Sequence, residues 1–319
     1  MGSRNEKLWE TEMMAPYKRG PAGWTLGLCS LALLTCAAQT AAAQPAGGSD
    51  RAAEPASPHR LDKRFPVDGR AMVTLRNAQG TIVVRSWQRS EVEIIANHAS
   101  EGVEVDAGQS GNRIELVTHV LRDDVSPAEL QADYEIYVPE ETELEIKNDS
   151  GSVRVTQVYA DVSVDTVLAK VELTDVSGDL TVRTVDGSFT CTRCVGKIEF
   201  VSTSGGARFV QPVSRSLHAQ TFSGSLFYEG KFSPNGYYKL TTTSGPIELA
   251  LSEKDSVKLS AHSRQGNVEN QVNLKPESHL FRLPGTSKGS SSLIGTTGTG
   301  LARVELTSFS GKILIRKRD

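Results

Sequence analysis

Residues able to do chemistry are few in this chain, and their spacing argues against most of it. Six histidines, His59, His98, His119, His218, His262 and His279, show neither an H-x-x-x-H pair nor a carboxylate at ligand spacing, so no metal site is expected. Asp161, Asp175, Asp179 and Asp186 lie close enough in sequence to suggest paired acid and base work on a polysaccharide. Each is more simply a turn residue or a solvated strand position. The run GTTGTG from Gly295 to Gly300 lacks the Lys and following helix of a phosphate loop and reads as a flexible loop. No cofactor is expected.

Cys191 and Cys194 form a C-x-x-C without the βαβ pattern of a redox protein. An oxidising compartment would permit a disulfide between them. Both also fall on places where small apolar side chains belong, and the two readings stand side by side. Six aromatic residues crowd into Phe222, Phe227, Tyr228, Phe232, Tyr237 and Tyr238. Strand alternation turns Phe222, Tyr228 and Tyr238 inward, turns Phe227 and Tyr237 outward, and leaves Phe232 in a lengthened turn. Phe227, Phe232 and Tyr237 are therefore candidate ligand contacts, set against the simpler expectation that these three rings cover one another.

The elements that would position these residues are strands. After residue 60, Val, Ile, Leu and Phe alternate with Thr, Ser, Arg and Glu, the period of a half-buried strand. Net charge is -3 with neither sign dominant, which leaves no electrostatic footprint for nucleic acid or an anionic membrane.

The front of the chain reads as an address. Lys18 and Arg19 precede an apolar run from Trp24 to Ala38, and Ala41-Ala42-Ala43 then meets Gln44, the pattern of a signal peptide over 1–43 cleaved between Ala43 and Gln44. The run is shorter than the roughly 20 residues of a spanning helix, so no span is expected after cleavage. Lipidation at Cys36 is disfavoured because Thr35 precedes it. Residues 44–60 are rich in Ala, Pro, Gly and Ser and read as a flexible linker.

Cut every nine residues from Gly151, the chain falls into register: GSVRV, ADVSV, AKVEL, GDLTV, GSFTC, GKIEF and GGARF. Gly or Ala stands first, and the third and fifth places face inward. Val158, Val167, Val176, Val185 and Cys194, two places before a block, are expected inward too. A small polar residue precedes every second block by three places at Asn148, Thr166, Thr184 and Ser202, and again at Thr221, Thr242, Ser263 and Ser308. Two strand-and-turn units therefore make one coil of about 18 to 21 residues, in an all-β, single-stranded, two-faced β-solenoid (β-helix). The leading glycines are expected to serve either φ > 0 or close approach between coils.

Residues 61–147 are expected to form an N-terminal strand region capping the repeats of 148–319, with hairpin-like turns near Gly80 and Gly111. The final strand, Lys312 to Ile315, is expected at the open end of the stack, with Arg316, Lys317 and Arg318 blunting its edge.

The T-x-S-G blocks, the segment LRNAQGTIVVRSW (75–87), YEIYVPEETELEIKNDSGSVRV (134–155) and the closing TSFSGKILI (307–315) together resemble the bacterial putative-adhesin family of β-solenoids of unknown function, related to auto-transporter adhesin heads. The resemblance implies the fold and an envelope location: periplasm, cell surface or secreted. The expectation is an exported scaffold without catalysis, binding an envelope or surface partner, protein or glycan. A polysaccharide-active β-helix is the alternative and would need Asp, Arg and Lys gathered in one cleft. A signalling or assembly role with another envelope protein is a third.

Overall fold

The computed structural model describes residues 59–98, 100–276 and 291–318. The expected signal peptide with its Ala43-Gln44 junction, Cys36, most of the linker and His279 lie outside them. Among the described residues there is no helix, and mostly parallel strands wind about one axis as a β-solenoid.

On one face Val162–Thr166, Leu180–Thr184, Val195–Ser202, Val213–Thr221 and Tyr237–Thr242 pair in parallel order. On the other, Lys170–Thr174, Phe189–Thr192, Ala207–Val210, Leu226–Glu229 and Ile247–Leu251 do the same. The register pairs Val182 with Val164 and Cys191 with Leu173, one 18-residue coil apart. All fourteen residues at the third and fifth places of the seven blocks are at most 4% exposed, so the period-2 pattern locates the core correctly.

The two bends of each coil are built differently. At the first, the hydroxyl of Thr184 accepts the Gly187 N–H at 2.8 Å, and Ser202 with Gly205, Thr221 with Gly224, Thr242 with Gly245, Ser263 with Gly266 and Ser308 with Gly311 repeat the bond at 2.8 to 3.0 Å. The polar residue is thus the inward one, which satisfies a buried backbone donor. Its neighbour must point out. Val167 and Val185 are accordingly 41% and 47% exposed, against the expected inward placement, whereas Val158, Val176 and Cys194 at the other bend are buried. Close approach is what Gly187 provides, since a Cβ there would overlap the Ala169 carbonyl of the coil below. Positive φ is needed at Gly178 and Gly196 of the other bend.

Both ends of the stack depart from sequence order. Met72–Trp87 bends at Gly80 and contributes to both faces, pairing along its length with Glu143–Thr156. Its opposite edge takes Arg113–Val120 and Ala132–Pro139. Residues 61–147 therefore supply a coil of the stack as well as covering its end, and Gly80 is a solenoid corner, not a hairpin. Gly111 does make a hairpin turn, between antiparallel Val103–Ser110 and Arg113–Val120.

The last coil is not at the edge. Ala302–Ser308 lies between Tyr237–Thr242 and Val257–Ser263, parallel to both, and Ile313–Lys317 lies between Ile247–Leu251 and Val268–Asn270. Arg316 reaches Glu248 at 2.6 Å and Glu229 at 2.7 Å, and Arg318 reaches Asp255 at 3.1 Å. The basic tail thus locks an inserted coil instead of blunting an edge. Ser291–Thr297, holding Gly295, is a strand antiparallel to Val257–Ser263; Gly298 and Gly300 form the turn that follows, so the expected loop is half strand.

Candidate functional site

The aromatic cluster is divided among three places. Tyr228 and Tyr238 are buried as expected, and Phe232 packs 5.0 Å from each ring, closing the lengthened turn over the core. Phe227 points outward yet is only 9% exposed, because the Arg208 guanidinium lies 3.8 Å from its ring centre and that of Arg316 5.5 Å. Tyr237, on the opposite face, donates to Glu305 at 2.7 Å. Phe227, Phe232 and Tyr237 therefore neither form one platform nor cover one another. Phe222, expected inward, is 59% exposed, for the same reason as Val167 and Val185.

The structure joins Cys191 and Cys194 with their Cα atoms 5.9 Å apart, and both side chains are fully buried. His59 and His98 come together, with ring centres 5.1 Å apart. Among the described residues no group of three His, Cys, Asp or Glu side chains converges as a metal site would require.

The carboxylates lack the setting of acid catalysts. Asp161 accepts the Asp179 N–H at 2.9 Å, and the two line a shallow cleft of about 370 Å³ with Glu143 and Glu145 but no cation. Asp175 binds Arg193 at the other bend and Asp186 is exposed at a corner. A general acid needs its pKa raised, as in a desolvated site. Here hydrogen bonds from Arg193 hold Asp175 low, those from Lys170 and Arg154 hold Glu172 low, and that from Tyr237 holds Glu305 low.

What the corners do assemble is a line of outward side chains, exposed at every member but the half-buried Thr243. The outward place after each Ser or Thr holds Val167, Val185, Thr203, Phe222, Thr243, Phe309 and Arg264. Backbone bonds tie successive members, as from Ser204 N to the Val185 oxygen, Thr243 N to the Phe222 oxygen and Phe309 N to the Thr243 oxygen. At about 4.8 Å per strand the line extends about 29 Å along the edge. Phe222 is 59% and Phe309 41% exposed, and Arg264 lies 5.5 Å from the Phe309 ring centre. The repeat register contained this line, one place after every corner Ser or Thr. Apolar alternation alone places these residues inward and so does not reveal it.

A stack of coils with identical corners defines the class, a parallel β-solenoid. The Toastrack DUF4097 family model matches residues 73–316, and the chain belongs to that family. The family is one of unknown function. Similar solved structures include a putative adhesin from Bacteroides fragilis NCTC 9343, at 10% identity, covering 82% of this chain and 99% of that one with a TM-score of 0.40. Another is a putative cell adhesion protein from Clostridium sporogenes ATCC 15579, at 11% identity, 82% and 100% coverage and a TM-score of 0.33. No curated protein matches the chain. Among the described residues no helix is long and apolar enough to cross a membrane.

Proposed function

We propose that this protein is an exported, rigid β-solenoid scaffold of the cell envelope that binds a partner along its Ser/Thr-Gly edge and performs no catalysis. The observation that carries this reading is the exposed line through Val167, Val185, Phe222 and Phe309, presented on a backbone braced coil by coil. Apolar side chains on a fixed backbone cost little further ordering on binding, and the two rings suit the faces of sugars or partner side chains. A hydrolytic β-helix is less well supported, because no cation lines the cleft around Asp161 and Asp179, and Asp175 lies apart from it, tied to Arg193.

Changing Phe222 and Phe309 together to Ser should leave the melt nearly unchanged, since both rings are solvated, and should weaken binding of the purified protein to isolated cell envelopes. Undiminished binding by this variant would remove the edge from consideration.

Export supplies a second expected result. The intact mass of exported protein should correspond to a chain starting at Gln44 and lacking two hydrogens, for a bond between Cys191 and Cys194. An acylated Cys36 or a fully reduced mass would contradict it. Closing so short a loop contributes about 2 kcal/mol at most on loop-entropy grounds, so the reduced protein should remain folded.

A further inference from the structure

We propose that the opposite edge of the solenoid binds an acidic polysaccharide carrying one carboxylate on each successive sugar. Two clefts of about 820 and 470 Å³ meet at Val213. Together they cross the second bend of five neighbouring coils, from Val195 and Lys197 through Gln211, Lys231 and Lys254 to Arg318. At about 4.8 Å per strand this gives about 19 Å of groove, which fits a linear polymer better than a compact solute.

The charges lining it are unevenly satisfied. Its two carboxylates are both engaged within the protein, Glu229 by Arg316 at 2.7 Å and Glu253 by Lys317 at 3.2 Å. Arg318 is held by Asp255 at 3.1 Å. The side chains of Lys197, Arg215, Lys231 and Lys254, by contrast, form no ion pair or hydrogen bond with any described residue. One uncommitted cation thus stands on each of four consecutive coils, two in each cleft, so an anionic polymer lying along the groove would meet a cation at every coil it crosses. Between them Val195 and Val213, 43% and 58% exposed, make an apolar bed for the C–H faces of the sugars.

The net charge of the chain is -3, so attraction at this groove comes from local arrangement, not from a general excess of positive charge. With both lining carboxylates tied to cations, the groove is fitted to hold a polyanion and has no free acid and base pair to cleave it. This site deepens the binding reading above but uses the other edge, so each can fail without the other.

The test is calorimetric titration of the full protein with polygalacturonate at low salt, with neutral dextran and duplex DNA as comparisons. The wild type should bind polygalacturonate saturably, and binding should weaken as NaCl screens the lysines. The Lys231→Glu, Lys254→Glu variant should bind on the order of tenfold or more weakly with an unchanged melt. The Phe222→Ser, Phe309→Ser variant should bind as the wild type does. Absence of wild-type binding, full retention by the charge-reversed variant, or equal affinity for dextran or DNA would each overturn the proposal.

Discussion

Gly187→Val is expected to lower stability by about 3 kcal/mol or more, while Asp186→Ala, one residue away, should change it by no more than about 0.5 kcal/mol. Gly187 is buried at the first bend, where its N–H is bonded by Thr184 at 2.8 Å. A Cβ there would overlap both the Ala169 carbonyl below and the Thr184 hydroxyl. Backbone oxygen cannot move aside without breaking the ladder of two coils. Asp186 is exposed, and its backbone bond from N to the Val167 oxygen survives any side chain. Urea denaturation of both variants reads the difference as a shift in midpoint at constant slope. Equal midpoints would mean that Gly187 does not sit in the stacked column.

Removing the last coil, residues 302–319, should abolish cooperative folding, not shorten the solenoid by one unit. A terminal coil contributes one interface, but this one contributes two on each face, to 237–251 on one side and 257–270 on the other. Without it, two parallel edges lie open, coil 257–270 keeps only its antiparallel partner Ser291–Thr297 and loses its link to the rest of the stack, and Glu229, Glu248 and Asp255 lose the cations that pair with them. Open edges recruit other chains, so the truncated protein should elute as aggregate and lose its sharp thermal transition. A monomeric product melting within a few degrees of the full protein would show that the inserted coil is dispensable.

Local pattern carried a large part of the fold. Alternation located Val153, Phe189, Phe209 and the other inward residues of the blocks, because side-chain direction in a strand is set by neighbouring residues alone. The recurring Ser or Thr three places before Gly located the first bend and the coil length. The same spacing does not reveal that the hydroxyl itself turns inward to meet the Gly N–H, which is why Val167, Val185 and Phe222 face solvent against the expectation from alternation. That inversion follows from satisfying a buried donor, which a count of apolar residues does not register.

The amino-acid sequence by itself determined that this protein is an all-β solenoid, how long its coils are and which strand faces are core, since each of these is a property of residues a few places apart. The tertiary structure alone decided the order of the coils, the placing of Arg316 and Arg318 among Glu229, Glu248 and Asp255, and the gathering of four uncommitted cations along one edge. Strands of the same period can pair in parallel with any free edge. Which edge the returning chain meets is fixed by the sum of pairings far apart in sequence, and no local pattern records that sum.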